Sequence, residues 1–540
     1  MFGVSNWLIA ATVAMATALY WLSKAIYMRT RFRGLPQPPK HSWIWGHTPI
    51  WEELTATLPP FTHPQHVYTA MAQKYGLGGV FYVDMWPFFH SQVVVTDPEA
   101  ARLVVATTPQ YPKHPAVERF LRPFTGRDSI AASNGDRWRY NHRMVGGGFA
   151  PAQVRSMAGM IAEQFLVFRR RLRALAEAGE PFSMEEEAAR AVFDVIGEIV
   201  FGVSLGAQRG SGSPLLGDLR ASIDPATTFI GTWNPWKKRE ARRSLRALQD
   251  RVRDAIAGEM RERLRVMQDE KELPSRRETK SILDRIVLDR VQSAPGATLD
   301  DDFIDAAVAN LKALLLGGHG TTTDTFTWIT MMLSLHPDIV ARLRAEHDEQ
   351  FPADVEGTVE ALIERPSRTN DLELTNAVIK ETLRFFPIGF TVRQAPEGVD
   401  RLDWGGRRWP VGGGLMVVPC AHSTHMDPAV WGPDAGSFRP DRFLGDEEEA
   451  AARHRFAWRP FERGPRACIA QDLAMEELRI LMLLTVRWFD FETVVTGATT
   501  RRVGYMDLDQ KVGDLAFQMS GMEARPRHDM RMKVHLTERE

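Results

Sequence analysis

The stretch Phe461-Glu-Arg-Gly-Pro-Arg-Ala-Cys-Ile-Ala470 places one cysteine behind a Gly-Pro turn, with a run of helix-forming residues after it. A nearby cation and a helix N-terminus both lower the pKa of a thiol and favour the thiolate that binds metals. Cys468 has Arg466 two residues before it and the helical run behind it. The turn would let the backbone approach a flat cofactor while Arg466 reaches a carboxylate. The stretch therefore predicts a metal-binding thiolate loop.

The cysteine count narrows the kind of metal site. The 540 residues contain two cysteines, Cys420 and Cys468. Zinc and iron–sulfur sites need several clustered thiolates or imidazoles. A free cysteine is usually a small buried core residue, but packing alone does not explain this ten-residue pattern. A single axial thiolate bound to haem iron is the remaining interpretation.

At these residues the chain resembles the cytochrome P450 superfamily of haem-thiolate monooxygenases, whose haem loop reads Phe-x-x-Gly-x-Arg-x-Cys-x-Gly/Ala. Every fixed position of that loop is matched between Phe461 and Ala470. The resemblance implies haem b with Cys468 as the axial iron ligand, Arg466 as a propionate contact and Phe461 packed beside the thiolate. It also implies a mainly α-helical fold with small β-sheets.

Two further motifs follow the order that the family has. Asn376–Phe386 has apolar residues at helical spacing and ends at a proline, which places Glu381 and Arg384 on one helix face. Phe438–Phe443 resembles the family segment that supplies a second arginine, here Arg442. The resemblance implies a buried triad of these three charged residues that fixes the cysteine loop. Because one carboxylate cannot neutralise two guanidinium groups, we expect backbone carbonyls to accept the remaining N–H groups.

A long helix is predicted from Phe303 to Leu333, with three glycines and three consecutive threonines at its centre. Three interior glycines cost about 0.8–1 kcal/mol each relative to alanine, so a purely structural helix has no reason to contain them. They let another group approach the backbone, and a threonine hydroxyl can bond the carbonyl four residues earlier. The segment resembles the family's distal helix, Ala/Gly-Gly-x-Asp/Glu-Thr-Thr. Thr321 falls on the threonine that supplies protons during oxygen activation.

Gly320 departs from this pattern, because it stands where the family has aspartate or glutamate. Protons could instead come from ordered water through Thr321, from His319, or from Asp324 one turn further on. We favour ordered water, since Asp324 is more simply explained as a solvated or capping carboxylate.

Other contacts are implied by the resemblance alone. Gly135–Arg143 resembles the helix in which a tryptophan and a basic residue four positions later bind a propionate, here Trp138 and His142. His142 replaces an arginine, and its hydrogen bond would strengthen on protonation. Ile388–Arg393 reads as a strand that places Arg393 at another propionate. The family's substrate pocket falls on apolar residues, which favour a lipophilic substrate and could equally be plain core: Phe120, Phe124, Phe229, Leu314, Ile388, Phe390 and Phe517.

The N-terminal residues predict a membrane anchor. No charged side chain occurs between Trp7 and Leu22, and with Lys24 snorkelling the apolar run reaches about 20 residues, enough for one span. Three arginines between Arg29 and Arg33 follow, which predicts a cytosolic body; a cleaved signal peptide is the weaker alternative. The family's microsomal members are built this way, which implies a single-pass protein of the endoplasmic reticulum membrane. The expected domains are an anchor with a basic stop at residues 1–33, a proline-rich hinge at 34–40, and one haem-binding catalytic domain at 41–540.

Composition sets limits on partners. Net charge of −1 gives no support to nucleic-acid binding, and two cysteines fit a reducing compartment. Gly-x-Gly-x-x-Gly is absent between any predicted strand and helix, so the chain has no flavin or nicotinamide site of its own. The resemblance implies electrons from NADPH through NADPH–cytochrome P450 reductase, with cytochrome b5 as a second candidate. Four arginines could steer that partner or form an ordinary solvated face: Arg453, Arg455, Arg459 and Arg463.

Three functions are compatible with these residues. The leading hypothesis is hydroxylation, epoxidation or another oxidation of a lipophilic small molecule with O₂ and reductase-delivered electrons, in secondary metabolism. A reductase-independent haem-thiolate isomerase or dehydratase acting on peroxides is the first alternative, which Gly320 favours and Thr321 opposes. A haem-binding protein without turnover is the second.

Periodicity completes the expectations. Residues 151–350 read mostly as helix, interrupted by a charged loop at 268–277. Apart from Ile388–Arg393, the predicted strands are Val80–Asp84, Gln92–Thr96, Gly412–Pro419 and Leu515–Met519.

Overall fold

The computed structural model describes residues 2–210, 212–269, 273, 275, 279–293, 298–445, 455–495 and 503–538. It is mainly α-helical with small β-sheets, as the sequence predicts. Arg453 and much of the 268–277 loop lie outside the described residues. Within them the helices are α1 Phe2–Thr30, α2 Thr48–Ala56, α3 Pro64–Tyr75, α4 Pro98–Val105, α5 Pro115–Thr125, α6 Gly135–Gly146, α7 Pro151–Ser156, α8 Ala158–Ala178, α9 Met184–Phe201, α10 Pro214–Ala221, α11 Ile223–Gly231, α12 Pro235–Asp269, α13 Ile282–Ser293, α14 Asp301–Leu335, α15 Pro337–Gln350, α16 Val355–Glu364, α17 Glu373–Phe385, α18 Ala421–His425, α19 Pro428–Trp431, α20 Gln471–Thr485 and α21 Leu508–Val512.

Four small sheets lie around these helices in the described part of the chain. One has the order β1-β2-β6, with β2 antiparallel to β1 and parallel to β6, and a second has the order β3-β10-β7. The other two are the hairpins β4-β5 and β8-β9. The strands are β1 Val80–Val83, β2 Gln92–Val95, β3 Phe182–Ser183, β4 Arg401–Trp404, β5 Arg407–Pro410, β6 Met416–Pro419, β7 Phe489–Thr493, β8 Met519–Ser520, β9 Ala524–Arg525 and β10 Arg531–Leu536.

Helix α14 is the long predicted helix, two residues longer at each end. Its first turn is capped by Asp300, whose carboxylate accepts the Phe303 N–H at 2.8 Å. The helix is buried along most of its length and packs against α5, α9, α17, α20 and β7. Trp328 stacks on Phe386 at the end of α17, with ring centroids 3.8 Å apart. This central position brings the glycine–threonine segment next to the cysteine loop.

Two predicted strands are wrong. Residues 388–392 form no strand, because their backbone bonds go to two unrelated segments: the Ile388 carbonyl accepts the N–H of Ala524 in β9, and the Val392 carbonyl accepts the His114 N–H. Only Arg393 makes bridges, to Lys113 and Val417. In the predicted C-terminal strand Leu515–Met519, the first two residues end a 3₁₀ turn over Gly513–Ala516, residues 517 and 518 are in no strand, and pairing starts at Met519. Alternation of apolar residues there reflects burial on several sides and not one sheet face.

Helix α1 contains the one stretch, Trp7–Thr30, that is long and apolar enough to cross a membrane among the described residues. Its last turn belongs to the globular body. Arg29 forms a fully buried ion pair with Asp84 and donates to the carbonyls of Trp43 and Trp86, both at 2.7 Å. Phe32 packs on Tyr82 of β1 with ring centroids 4.9 Å apart. Arg29, one of the basic residues that follow the apolar run, is thus a buried packing residue.

Arg29→Ala should therefore destabilise the body by about 3–5 kcal/mol, because it leaves the Asp84 carboxylate buried without its main partner. Arg33→Ala removes the same charge from the same segment at an exposed position, and should change stability by less than about 0.5 kcal/mol. Urea unfolding of the two detergent-purified variants, followed by tryptophan fluorescence, measures the difference. Equal midpoints would show that the buried pair does not hold the helix to the body.

Candidate functional site

One internal cavity of about 370 Å³ collects most of the predicted site residues. Its walls come from the centre of α14, the cysteine loop, the start of α20, residues 388–393 and helix α6. Cys468, Arg466, Phe461, Thr321, Trp138, His142 and Arg393 all line it. Elements far apart in the chain therefore converge on one space, of a size typical of small-molecule and cofactor sites.

The cysteine loop is held in a tight turn. Its Gly464 has a left-handed backbone with φ of 75°, and a Cβ there would collide with the carbonyl oxygen of Val105. The Cys468 N–H donates to the Phe461 carbonyl at 2.8 Å, which closes the loop and directs the thiol to the cavity. The geometry explains why this segment needs both glycine and proline.

The electrostatics of the thiol differ from the expectation. The thiol is exposed to the cavity, but protein surrounds it otherwise, and this burial raises its pKa. Arg466 does not face it: its guanidinium lies 4.5 Å from the centre of the Trp138 ring and donates to Ser133 O at 2.9 Å. The expected cation beside the thiol is therefore absent from this part of the structure. The backbone N–H of Ala470 opposes this rise, and a bound metal would stabilise the thiolate further.

Several basic groups line the cavity, and Glu462 is the acid of the wall whose charge acts on two of them, Arg393 and Lys113. Burial lowers the pKa of Arg393, and its Nε and Nη1 have no hydrogen-bond partner among the described residues. Burial and then the charge of Arg393 lower the pKa of Arg466 to about 9. Burial, then Arg466, lowers the pKa of His142, so this ring is neutral at pH 7 and the expected strengthening by protonation requires acid. These donors are positioned for an anionic group.

Lys113 is a further basic residue that the sequence reasoning missed. It lines the cavity, pairs with Arg393 through a β-bridge, and donates through its ammonium group to Ala131 O. Burial, then Arg466 and Arg393, holds its pKa well below the usual value. The residues next to Lys113 in the sequence do not identify it as a cavity residue, because a β-bridge to Arg393, 280 residues further on, brings it to the cavity.

The distal wall shows the predicted threonine geometry. Thr321 lines the cavity, and its hydroxyl donates to Gly317 O, four residues earlier, at 2.8 Å. Thr322 donates to the carboxyl group of Glu477 on α20 at 2.9 Å. Burial raises the pKa of Glu477, another cavity residue not predicted from sequence, to about 8. A protonated carboxyl group thus lies beside the threonine pair at neutral pH.

The other predicted proton sources, His319 and Asp324, point away from the cavity. His319 bonds Leu315 O at 3.0 Å through Nδ1 and packs edge-on against Phe193. Burial lowers its pKa to about 4, so it carries no proton to donate as an imidazolium at pH 7. Asp324 is buried, which excludes the solvated role expected for it, and burial raises its pKa well above the usual value.

The predicted substrate residues divide into two groups. Leu314, Ile388 and Phe390 line the cavity. The other four do not: Phe120 and Phe124 pack on each other, Phe229 lies under the charges of Lys238 and Arg242, and Phe517 packs on His66. Spacing along the chain could not distinguish residues of the cavity from residues of the neighbouring core.

Glu381, Arg384 and Arg442 form one buried cluster behind the cysteine loop. Arg384 donates to both carboxylate oxygens of Glu381 at 2.8 Å, and Arg442 donates at 3.1 Å. Backbone carbonyls accept the remaining N–H groups, as expected: His425 and Ala435 for Arg384, at 2.6 and 2.7 Å. The excess positive charge is thereby solvated by carbonyl dipoles.

A chain of hydrogen bonds joins this triad to the cysteine loop. The Arg384 carbonyl contacts His425 Nδ1 at 3.0 Å, and His425 Nε2 accepts the Arg459 N–H at 3.1 Å. Arg459 then pairs with Glu462 of the loop at 3.0 Å. Arg459 is fully buried by these contacts, so it cannot belong to the surface patch proposed from sequence. Arg455 remains exposed and Arg463 half-buried.

The residues of the cavity fit haem. No cluster of three or more histidine, cysteine or acidic ligands exists among the described residues, so a metal here would depend on the single thiol and a non-protein chelate. Unpartnered guanidinium N–H groups of Arg393 match the carboxylates that such a chelate carries. Gly317 exposes bare backbone to the cavity, with nothing within 4 Å of a Cβ built there. Together these features define a haem-thiolate protein.

Comparisons with known proteins agree. The sequence model of the cytochrome P450 family matches residues 36–502, and the chain belongs to this family. Cytochrome P450 monooxygenase acrF of Aspergillus aculeatus is 29% identical over 515 residues, covering 90% of this chain and 100% of the relative. Cytochrome P450 monooxygenase polC of Polytolypa hystricis is 28% identical, covering 97% and 94%. The chain is an oxidoreductase of this monooxygenase class.

A solved structure supports the fold. The crystal structure of the cytochrome P450DA haem domain superposes with a TM-score of 0.71 at 19% sequence identity. The match covers 93% of this chain and 97% of that chain. The similarity therefore extends over the whole helical body and the small sheets.

The triad generates a stability prediction. Glu381→Ala should cost about 3–5 kcal/mol, because it leaves two guanidinium groups buried without a counter-charge. Glu373→Ala, on the exposed first turn of the same helix, should stay within about 0.5 kcal/mol of the wild type. Thermal unfolding and the haem content of the purified variants provide the comparison. Similar losses in both variants would contradict a structural role for the triad.

Proposed function

We propose that the protein is a haem-thiolate monooxygenase that oxidises a lipophilic small molecule, such as a secondary metabolite, with O₂ and electrons from an NADPH-dependent flavoprotein reductase. The observation that carries this proposal is that the Cys468 thiol and the Thr321 hydroxyl line the same cavity. One suits an iron ligand and the other a proton donor.

In this proposal the cavity would hold haem b, with the Cys468 thiolate binding its iron and Phe461 lining the wall near the thiol. Arg393, Arg466 and Lys113 would bind the propionates, because these three basic groups share the cavity wall with Glu462 and Arg393 keeps two N–H groups without a partner among the described residues. Trp138 and His142 lie at the same edge, with ring centroids 5.1 Å apart. Bound haem supplies the iron that activates dioxygen for transfer of one oxygen atom to the substrate.

Side chains of the protein then control substrate access to the cavity and the supply of protons. Leu314, Ile388 and Phe390 give the cavity an apolar wall, which binds a lipophilic substrate and excludes bulk water. Thr321 holds its proton against Gly317 O at 2.8 Å and can release it to the cavity by rotating its hydroxyl. The Thr322–Glu477 pair stores a second proton beside it.

Electron supply and location extend the proposal. Arg455 and Arg463 line a groove of about 1100 Å³ together with Lys380 and residues of α20. Five basic and three acidic side chains line this groove, and the basic surplus suits the acidic surface of a flavoprotein reductase. Cytochrome b5 is a second candidate donor for the same surface. Helix α1, long and apolar enough for one span, would anchor the body on the cytosolic side of the endoplasmic reticulum membrane.

The purified full-length chain tests the assignment directly. With haem supplementation it should show the red-shifted Soret band of thiolate coordination when reduced under carbon monoxide, and Cys468→Ser should lose that band. With reductase, NADPH and a library of lipophilic metabolites, NADPH consumption should depend on substrate. A colourless protein would overturn the haem proposal. Turnover with organic hydroperoxide alone would favour the isomerase alternative.

Thr321→Ala should leave haem bound but reduce the product formed per NADPH and raise hydrogen peroxide release, because the hydroxyl that passes protons is missing. Thr321→Ser retains the hydroxyl and should keep wild-type coupling. Thr327→Ala is a matched control, since Thr327 makes the same bond to the carbonyl four residues earlier outside the cavity. Unchanged coupling in Thr321→Ala would exclude this threonine from proton delivery.

A further inference from the structure

The space beside Gly320, where the family's acid is missing, contains another carboxyl group. A Cβ built on Gly320 would lie 2.5 Å from Oε1 of Glu523 and 3.3 Å from its Cδ. Real Cβ atoms essentially never approach an oxygen this closely, so any larger residue at 320 would displace the Glu523 side chain. The carboxyl group of Glu523 thus occupies the volume in which a side chain at 320 would begin.

The C-terminal hairpin fixes Glu523 in that place. Residue 523 lies in the turn between β8 and β9, and the next residue, Ala524, donates its N–H to Ile388 O at 3.2 Å. Gln518 donates to Ala524 O at 3.2 Å and is itself fully buried. Because Ile388 lines the cavity, the hairpin turn is attached to the cavity wall.

Charged groups from three other elements face this carboxyl group. Asp324 lies on α14, Glu185 on the first turn of α9, and Arg525 on β9 of the same hairpin. Further out, Arg220 of α10 acts on Asp324 and Glu185, while Asp529 and Glu186 act on Glu185. Three buried or largely buried carboxyl groups thus share two guanidinium groups.

This imbalance keeps protons in the cluster. Burial raises the pKa of Glu523 to about 7, with Arg525 opposing and Glu185 adding to the rise. Burial, then Glu523 and Glu185, raises the pKa of Asp324 well above its usual value. Oε2 of Glu523 and Oδ2 of Asp324 have no hydrogen-bond partner among the described residues. Both are therefore available to bond an ordered water or a proton.

We propose that Glu523 supplies the carboxylic acid that the distal helix lacks at Gly320 and passes protons through ordered water to Thr321. This proposal rests on the proposed monooxygenase function. In each transfer the O–H bond of the Glu523 acid breaks, water carries the proton to the Thr321 oxygen, and the Thr321 proton moves into the cavity. The carboxylate left on Glu523 regains a proton from Asp324 and, finally, from bulk water, so no electrons move along this path.

In this arrangement the absence of a side chain at Gly320 leaves room for the Glu523 carboxyl group. It lets a carboxyl group from a distant part of the chain lie alongside the helix, one residue before Thr321. Glu523 acts through Thr321 and does not itself line the cavity. Its contribution should therefore appear in proton-dependent steps and not in substrate binding.

Glu523→Gln keeps the shape of the side chain but cannot donate a carboxyl proton. In holoenzyme supplied with reductase and NADPH, we expect the rate of product formation to fall on the order of 10²-fold, the lower end of what a positioned acid contributes, with KM unchanged and less product formed per NADPH. The wild-type rate should fall as pH rises through about 7, where Glu523 loses its proton, and this limb should disappear in Glu523→Gln. Glu523→Asp should partly restore it. Glu492→Gln, at an exposed position paired with His535 and outside the cluster, is the control.

Relocating the acid gives an independent test. Glu523→Ala combined with Gly320→Asp removes the carboxyl group from the hairpin, frees the space, and puts an acid on the helix. We expect this double variant to couple better than Glu523→Ala alone. Failure of the double variant to recover any coupling, with normal haem content, would count against the proposal.

An infrared measurement needs no turnover. Protonated Glu523 should give a buried carboxylic C=O band that is lost as pH rises through about 7 and is missing from Glu523→Gln. Wild-type coupling and pH profile in Glu523→Gln would overturn the inference and leave the monooxygenase proposal intact. Absence of reductase-dependent turnover in the wild type would overturn the proposed function instead, while the infrared titration would still show whether Glu523 holds a proton.

Discussion

The position of the cysteine loop depends on Glu381, one buried carboxylate shared by two arginines. Its bidentate bond fixes the guanidinium group of Arg384. The backbone carbonyl of Arg384 contacts His425, which accepts the Arg459 N–H and so orders the loop. None of these contacts is local in sequence to Cys468. A loop of Gly-Pro sequence would otherwise sample many conformations. The triad therefore fixes the position of the thiol from a distance. The free-energy cost of burying its charges is offset by hydrogen bonds to backbone carbonyl groups.

A second constraint is the surplus of positive charge around the cavity. Lys113, Arg393 and Arg466 are buried close enough to depress one another's pKa, and Glu462 is the acidic group that favours the charged form of Lys113 and Arg393. A dianionic cofactor would remove this repulsion and satisfy the free N–H groups of Arg393. Such a ligand stabilises the folded state by RT ln(1 + L/Kd), where L is the free ligand concentration, so the stabilisation increases with ligand concentration. Cofactor binding and folding of this region are consequently coupled.

Local motifs were enough to predict the long distal helix with Thr321, the cysteine loop and the three members of the triad from the sequence. Each depends on residue types at short, fixed spacing, which backbone geometry converts into position. Lys113, Glu477 and Glu523 could not be found this way, because a β-bridge, a helix–helix contact and a hairpin turn bring them to the site. The prediction that the pKa of Cys468 is lowered was wrong for a related reason, because burial raises it. Sequence distance put Arg466 near the thiol, but its guanidinium stacks on Trp138 instead.

The three glycines of the distal helix lower its helix propensity, and each of them makes room for a different neighbour. Gly317 opens backbone to the cavity, Gly318 admits the side chain of Ile196, whose Cγ1 would lie 2.7 Å from an added Cβ, and Gly320 admits Glu523. Alanine at all three positions would gain about 3 kcal/mol of helix propensity and would collide at two of them. The lower helix propensity of these glycines is thus the condition for the close approach of Ile196 and Glu523 to the helix backbone. At Gly320 what approaches is an ionisable group held near its protonated form, which gives this helix an acid without placing one in its own sequence.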